Sequence, residues 1–420
     1  MPRPSVLLSL LLVASPAFPA ARLTYAVHGA LVPVAWTSFP ITYAVDRRVA
    51  DAVPGGVSQI ERAINDWSNV AGAQIAFKDL GAKDGVEPGK DGQNSISFDD
   101  DLYSNQRFLA LTTNWYDDSG HVIEADIQID PMAVSGGYNL QQLVRHETGH
   151  LLGLDHSAVL TSVMYPYVGT GGVNTLDSDD RVAIASIYPR YTPPSGATLQ
   201  GRVSGDDGGI YAAQVVALSD AGEPVASALT GPDGTFTLQG IPSGNYRVYA
   251  EPLDGPVNVS NLSGTWRMAK VTSFPTQFAD GGTSLHVDNG KIYGNINVSG
   301  AGAVQQLNPR WIGVAAPGGT NVTLGAMPVV LTAGQTVTIA IGGDGFLSGV
   351  TTFDVPSPGF QRISDFTWSG NYVAATFRVL LNTPTGSLVV LARSGNESAA
   401  LTGGLRVEPR QRGRAVGASK

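Results

Sequence analysis

The sequence predicts a multidomain protein, an α+β domain followed by two all-β sandwich domains. Three observations predict it. Apolar residues recur at helical spacing only ahead of Tyr191, interleaved there with short β-branched runs. The stretch Tyr191-Thr192-Pro193-Pro194-Ser195-Gly196 reads as a linker, because proline and glycine punctuate chains between folded units. After it the chain turns to short alternating strands separated by glycine-bearing turns.

Composition bounds the rest. A chain of 420 residues has room for about two to four domains. It is 43% apolar and 15% charged, with 51 glycines and 26 prolines to supply turns, as in folded protein. The net charge of −9 argues against a nucleic-acid surface. The absence of cysteine removes disulfides, thiolate ligands and a cysteine nucleophile.

Each element has its own signal. Residues 1–21 read as a signal peptide. Arg3 gives the positive end, and Val6 to Ala14 is an apolar stretch too short to span a bilayer. Ser15, Ala17, Ala20 and Ala21 are small; cleavage after Ala17 fits the small-x-small rule best, with Ala20 and Ala21 as alternative sites. No later apolar run has membrane-spanning length, so a secreted, extracellular protein without membrane insertion is expected. Ile41–Val45 is β-branched and aromatic, a first strand. Val57, Ile60, Ile64 and Trp67 mark one face of a helix. Ile75–Phe77, Ser95–Phe98, Phe108–Thr112 and Ile123–Ile129 are short strands. Asn139, with Gln142 three residues on, starts a second helix as in a capping box. Asp177 or Ser178 caps a third that runs to Tyr188. These elements make a domain of residues 22–192, closed by the linker 193–196. A chain cut near Tyr191 is therefore expected to fold alone.

Residues 146 to 156 read His146-Glu147-Thr148-Gly149-His150-Leu151-Leu152-Gly153-Leu154-Asp155-His156. Three of the six histidines in the chain fall within this run. His146 and His150 sit about one helical turn apart on one face, so their imidazoles can fill two corners of a zinc tetrahedron. Glu147 lies about 100° round the helix, within reach of a metal-bound water. Gly153 tolerates a positive φ and can end the helix, returning the chain so that His156 becomes a third ligand. A fourth position stays open for water, the mark of catalytic rather than structural zinc. Two histidines four apart also arise by chance on solvated helices. The second glycine turn and the third histidine at fixed distance disfavour that reading.

With Met164 downstream, in Ser162-Val163-Met164-Tyr165-Pro166, the run H-E-x-x-H-x-x-G-x-x-H resembles the metzincin zinc peptidases. Ser157, directly after the third histidine, makes the chain most similar to the matrixins, the matrix metalloproteinase type, over about residues 31 to 190. The resemblance implies a twisted mixed sheet, two long helices and a closing helix. It implies zinc-dependent peptide-bond hydrolysis with His146, His150 and His156 as ligands and Glu147 as general base. Met164 would form an apolar floor under the histidines. Pro166 and Tyr167 would wall the pocket for the side chain after the cut, although matrixins place one residue between that proline and the aromatic. Substrate is implied to lie along an edge strand, for which Phe108–Thr112 is the candidate. A second matrixin zinc is not expected, because Gln128 stands where a histidine would. Asp99, Asp100, Asp101, Asp126 and Asp130 are candidate oxygen donors for calcium. Without cysteine there is no cysteine switch.

Beyond the linker, Leu199–Val203, Ala213–Leu218, Thr235–Leu238 and Tyr246–Tyr249 read as strands. Asp233-Gly234-Thr235-Phe236 and Gly240-Ile241-Pro242-Ser243-Gly244-Asn245-Tyr246 make residues 197–300 resemble a carboxypeptidase regulatory-like β-sandwich. Residues 301–409, with Val337–Ile341, Tyr372–Leu380 and Ser387–Leu391 as strands, resemble an immunoglobulin-like sandwich. The basic tail 410–420 is poor in apolar residues and is expected to be disordered. The function expected is that of a secreted zinc endopeptidase acting on extracellular protein or peptide substrates. Its accessory domains are candidates for binding matrix or surface polymers. The alternative is a protease-like adhesion or binding protein. Glu147 argues against it, since a degenerate copy has no need of the base.

Overall fold

The computed structural model describes residues 21–27, 30–170, 175–191, 195–300, 305–319 and 321–410. The expected signal segment up to Ala20, the linker prolines and the basic tail beyond Arg410 lie outside the described residues.

Two short strands, β1 (Thr24–Val27) and β2 (Ala30–Pro33), pair antiparallel. They carry no sequence signal because four residues are too few to show a period. β3 (Ile41–Asp46) follows, then a single helical turn, α1 (Arg47–Ala50), and the long helix α2 (Gly56–Ser68). β4 (Phe77–Lys83) and β5 (Asn94–Phe98) lead to the short α3 (Leu102–Gln106). β6 (Ala110–Tyr116) and β7 (Val122–Ile129) come next, then the short α4 (Pro131–Ser135). The zinc-motif helix α5 (Leu140–Leu151) and the closing α6 (Ser178–Ile187) complete this part.

The five-stranded sheet has the order β4-β3-β5-β7-β6. β3, β4, β5 and β7 run parallel, and β6 is antiparallel at the edge, so the sheet is mixed. β3 and β7 are buried along most of their length because each has neighbours on both sides and helices beneath. Two strand expectations are corrected. The strand expected at Ile75–Phe77 begins at Phe77 and runs to Lys83. The edge strand begins at Ala110, not Phe108, and reaches Tyr116.

α2 presents Ile60, Ile64 and Trp67 to the core, where they meet Leu143, Val144 and Leu151 of α5. Trp67 Nε1 donates to the Arg145 carbonyl at 2.9 Å. The buried Arg145 guanidinium donates to Asp66 at 2.7 and 2.5 Å, which makes its burial tolerable.

The rest of the chain is mostly β. Residues 197–299 form two sheets. One has the order Pro224–Leu229, Gln214–Ser219, Gly244–Glu251, Gln277–Phe278. The other joins Thr235–Ile241, Ala197–Gly205 and Ile292–Ser299, the last pair parallel. Phe236, Leu199, Val215 and Val248 share the core between them. Residues 308–408 form two further sheets, built round Thr336–Asp344 with Tyr372–Val379 and round Gly386–Ser394 with Glu397–Glu408.

These parts are not beads on a string. Leu160 and Tyr165 of the first part lie in one buried cluster with Leu331, Leu388 and Leu405 of the last. The Leu160 amide donates to the Thr402 carbonyl at 2.9 Å, and the Tyr165 hydroxyl to the Ala326 carbonyl at 2.6 Å. Ser178 Oγ donates to Glu223 at 2.5 Å, and the Ser227 amide to Asp179 at 2.6 Å. A chain cut near Tyr191 would lose all of these contacts. The linker marks a change of pattern in the sequence, but apolar side chains on either side of it share a core. Among the described residues no helix is long and apolar enough to cross a membrane.

Candidate active site

α5 starts where the Asn139 side chain accepts the Gln142 amide at 3.0 Å. It stops at Leu152, and Gly153 follows with φ 91°. A Cβ there would meet the Val34 carbonyl oxygen at 2.3 Å, so both the turn and the close approach require glycine. The turn brings His156 back toward the helix. The Nε2 atoms of His146 and His150 are 3.2 Å apart, as are those of His150 and His156.

The opposite ring nitrogens decide the tautomers. His146 Nδ1 is 2.6 Å from the Val163 carbonyl, and His150 Nδ1 is 2.8 Å from that of Leu154. His156 Nδ1 is 2.5 Å from the carbonyl of Asn261. A carbonyl oxygen only accepts, so each Nδ1 carries the proton. Each Nε2 is left with a free lone pair aimed at one shared point. Burial holds all three imidazoles below their ordinary pKa, His156 down to about 3, and so keeps them neutral. Neutral nitrogens converging this way fit a zinc ion, and among the described residues they are the one metal-capable cluster.

Glu147 is buried beside them. Burial pushes its carboxyl up to about 7, opposed by a hydrogen bond from Thr112 Oγ1 at 2.7 Å. Asn114 Nδ2 donates to the His150 carbonyl at 3.0 Å. Thr112 and Asn114 both belong to β6, so the edge strand is fastened to the motif helix.

Residues 35–189 match the matrixin family. The chain carries a matrixin domain. The hatching enzyme of Paracentrotus lividus is 31% identical over 156 residues, 36% of this chain and 25% of that protein. Karilysin of Tannerella forsythia is 46% identical over 52 residues, 12% of this chain and 11% of that one. The interstitial collagenase of Bos taurus is 28% identical over 185 residues, 38% and 34% of the two chains. This chain thus spans a third or less of the hatching enzyme and of karilysin, and about a third of the collagenase. Among solved structures, the major pilin subunit of Bacillus cereus aligns over 49% of this chain and 66% of its own at 10% identity, but its TM-score of 0.15 carries no argument.

Within the matrixin domain Met164 is buried with its sulfur against Gly149 of α5, and its carbonyl accepts the Ser157 amide at 2.9 Å. Tyr167 is half exposed and lines a small cavity with Gln142, Val163, Tyr165, Met327 and Pro328. Pro166 is not among the residues lining that cavity. The candidate calcium donors are engaged otherwise. Asp126 accepts the amides of Gly89 and Ser95 and the Ser95 hydroxyl. Asp130 accepts the amides of Tyr103 and Met132. Asp99 accepts from Gln128 Nε2 at 2.9 Å and from the Asp101 amide. Asp100 pairs with Arg48 at 2.9 Å on the surface. Asp101 precedes α3 without capping it through its side chain.

Three contributors escaped the sequence reading. Thr112 holds Glu147, and nothing in its strand marks it. Asp180 braces the methionine turn, accepting from Ser162 Oγ at 2.5 Å and the Val163 amide at 2.9 Å. Its place in the first turn of α6 was a signal, since Asp180 also closes a capping box with Asp177. Asn261 comes from another part of the chain, and no local pattern could have found it.

Proposed function

We propose that this protein is a secreted zinc-dependent endopeptidase that hydrolyses peptide bonds of extracellular proteins. The observation that supports it is the convergence of three neutral Nε2 atoms beside a buried carboxylate. His146, His150 and His156 would hold the ion, which when bound supplies Lewis acidity toward the scissile carbonyl. Glu147 is the general base. A carboxyl near neutral pKa can take a proton from water and give it up again. It removes the proton as the water oxygen bonds to the carbonyl carbon. It then delivers that proton to the departing amine as the C–N bond breaks. Thr112 holds the carboxylate in place through this exchange. An extended peptide would add to the open side of β6, the sheet edge nearest the motif helix. Tyr167 would wall the pocket beyond the cut, and Pro166 would set its path. The two β-modules, read as carboxypeptidase regulatory-like and immunoglobulin-like sandwiches, would bind matrix or surface polymers.

Glu147→Gln tests the reading. The variant should keep its zinc and its fold while peptide-library cleavage falls by about 10² to 10⁴ or more. Near-normal turnover would remove the base role and point to a different base, whereas a zinc-loaded parent chain that cleaves no peptide would favour the adhesion alternative.

A further inference from the structure

We infer that residues 258–266, a segment of the β-region far from the motif, are a positioning element of the metal centre that sets the third histidine. The inference rests on the zinc reading of the histidine cluster. His146 and His150 send their Nδ1 protons to Val163 and Leu154, inside the matrixin domain. His156 does not. Its Nδ1 proton goes to the Asn261 carbonyl, 105 residues on. Losing this acceptor frees the ring to rotate or to change tautomer, and either change takes the Nε2 lone pair off the shared point.

The segment is built to present that carbonyl. Val259–Asn261 form one tight helical turn. Asn258 Oδ1 accepts the Ser260 amide at 2.9 Å, and Asn261 Oδ1 accepts the Asn258 amide at 3.0 Å. Two struts then join the turn to the motif. The Ser263 amide donates to Asp155 Oδ2 at 2.9 Å, while Asp155 Oδ1 accepts the His156 amide at 2.8 Å. One carboxylate thus bridges the segment and the ligand's own backbone. Asn261 Nδ2 donates to the Tyr167 hydroxyl at 3.1 Å, on the far side of the methionine turn.

The far end is anchored as well. Trp266 is 1% exposed, and its Nε1 donates to the Arg22 carbonyl at 2.9 Å. The Thr265 amide donates to the Thr24 carbonyl at 3.1 Å. At Gly264 a Cβ would meet the Thr24 oxygen at 2.0 Å, so the approach requires glycine. Packing alone would need no hydrogen bond to a ligand ring. The β-region therefore completes the metal centre rather than hanging from it.

The test uses the full chain and zinc itself. The double variant Asn258→Ala/Asn261→Ala loosens the turn, and Ser263→Pro removes the amide that holds Asp155. Zinc affinity is read by chelator competition, and ligand geometry by the visible spectrum of the cobalt-loaded protein. Each folded variant should bind zinc about 10- to 100-fold more weakly, as expected for the loss of a ligand's outer partner, with an altered cobalt spectrum. Asp288→Ala, an exposed change elsewhere in the same module, should leave both unchanged. Zinc affinity within twofold of the parent in either folded variant would overturn the inference. Should neither variant fold, the parent chain decides. Its zinc-loaded form should show a downfield, exchange-protected His156 Nδ1 proton, and a rapidly exchanging one would overturn the inference. These readouts do not involve cleavage, so an inactive protein with the expected affinity losses would remove the peptidase reading and leave this one standing.

Discussion

A Cβ atom on Gly149 would stand 2.2 Å from the Met164 sulfur and 3.0 Å from the Trp67 ring. The variable position before the second histidine is therefore filled by the one residue that lets the methionine turn close against the helix. Gly149→Ala should overpack this site. Despite alanine's better helix propensity, the variant should lose about 1–3 kcal/mol of stability. Urea unfolding of the metal-free protein measures it, and unchanged or raised stability would mean that Met164 has room to move.

Asp180 makes the same turn from the other side. Its carboxylate accepts from Ser162, Val163 and the Asp177 amide, all in the interior. Asp180→Ala would leave those donors unpaired, at roughly 1–3 kcal/mol for each buried orphan. The variant should unfold at markedly lower denaturant and, having lost the Val163 geometry, bind zinc less tightly through His146. Denaturation midpoints and zinc competition check both parts.

The contrast between these residues shows what the sequence makes legible. The three histidines and Glu147, proposed as ligands and base, lie in one helix and its following turn, where spacing alone fixes geometry. Trp67 and Ile64 declare their helix face by period. Thr112, Asp180 and Asn261 reach the site through tertiary packing, and sequence distance conceals them. Phe108 has the residue type of a strand, yet it is half exposed and the edge strand starts only at Ala110. The strand Glu397–Glu408 went unread because Gly403 and Gly404 interrupt its alternation. A pattern cannot show that Gly403 packs against Leu160 and Thr161 of the matrixin domain.

A chain ending at Tyr191 should fare worse than the proline-bearing linker suggests. Leu160 and Tyr165 are 3% and 2% exposed in the full chain, and the cut would uncover both. Each such side chain is worth about 1.5–3 kcal/mol when buried. The fragment should aggregate or melt well below the full chain, and its zinc affinity should fall. A monodisperse fragment with the parent's melting temperature and zinc content would show that the shared core is dispensable.

The last prediction concerns pH. Glu251 is buried where the two β-modules meet, accepting from Thr402 Oγ1 at 2.6 Å and from Gln214 Nε2 at 3.1 Å. Burial pushes its carboxyl up from 4.5 to about 8, opposed by the Thr402 hydrogen bond and aided by the nearby Asp254. The folded chain thus keeps a proton that the unfolded chain releases near pH 4.5. That difference stabilises the fold fully below about 4.5 and is lost as pH rises through about 8. Stability should fall across this window by up to about 1.4 kcal/mol per pH unit from this group. Asp179 and Asp180, raised by burial to about 7 and about 6, add slopes of the same sign. Glu251→Gln keeps both acceptor contacts without a titrating proton. Its stability-versus-pH curve should therefore be flatter than the parent's between pH 5 and 8, with the gap widening toward 8 in the variant's favour. Parallel curves would mean that Glu251 is already ionised in the folded chain.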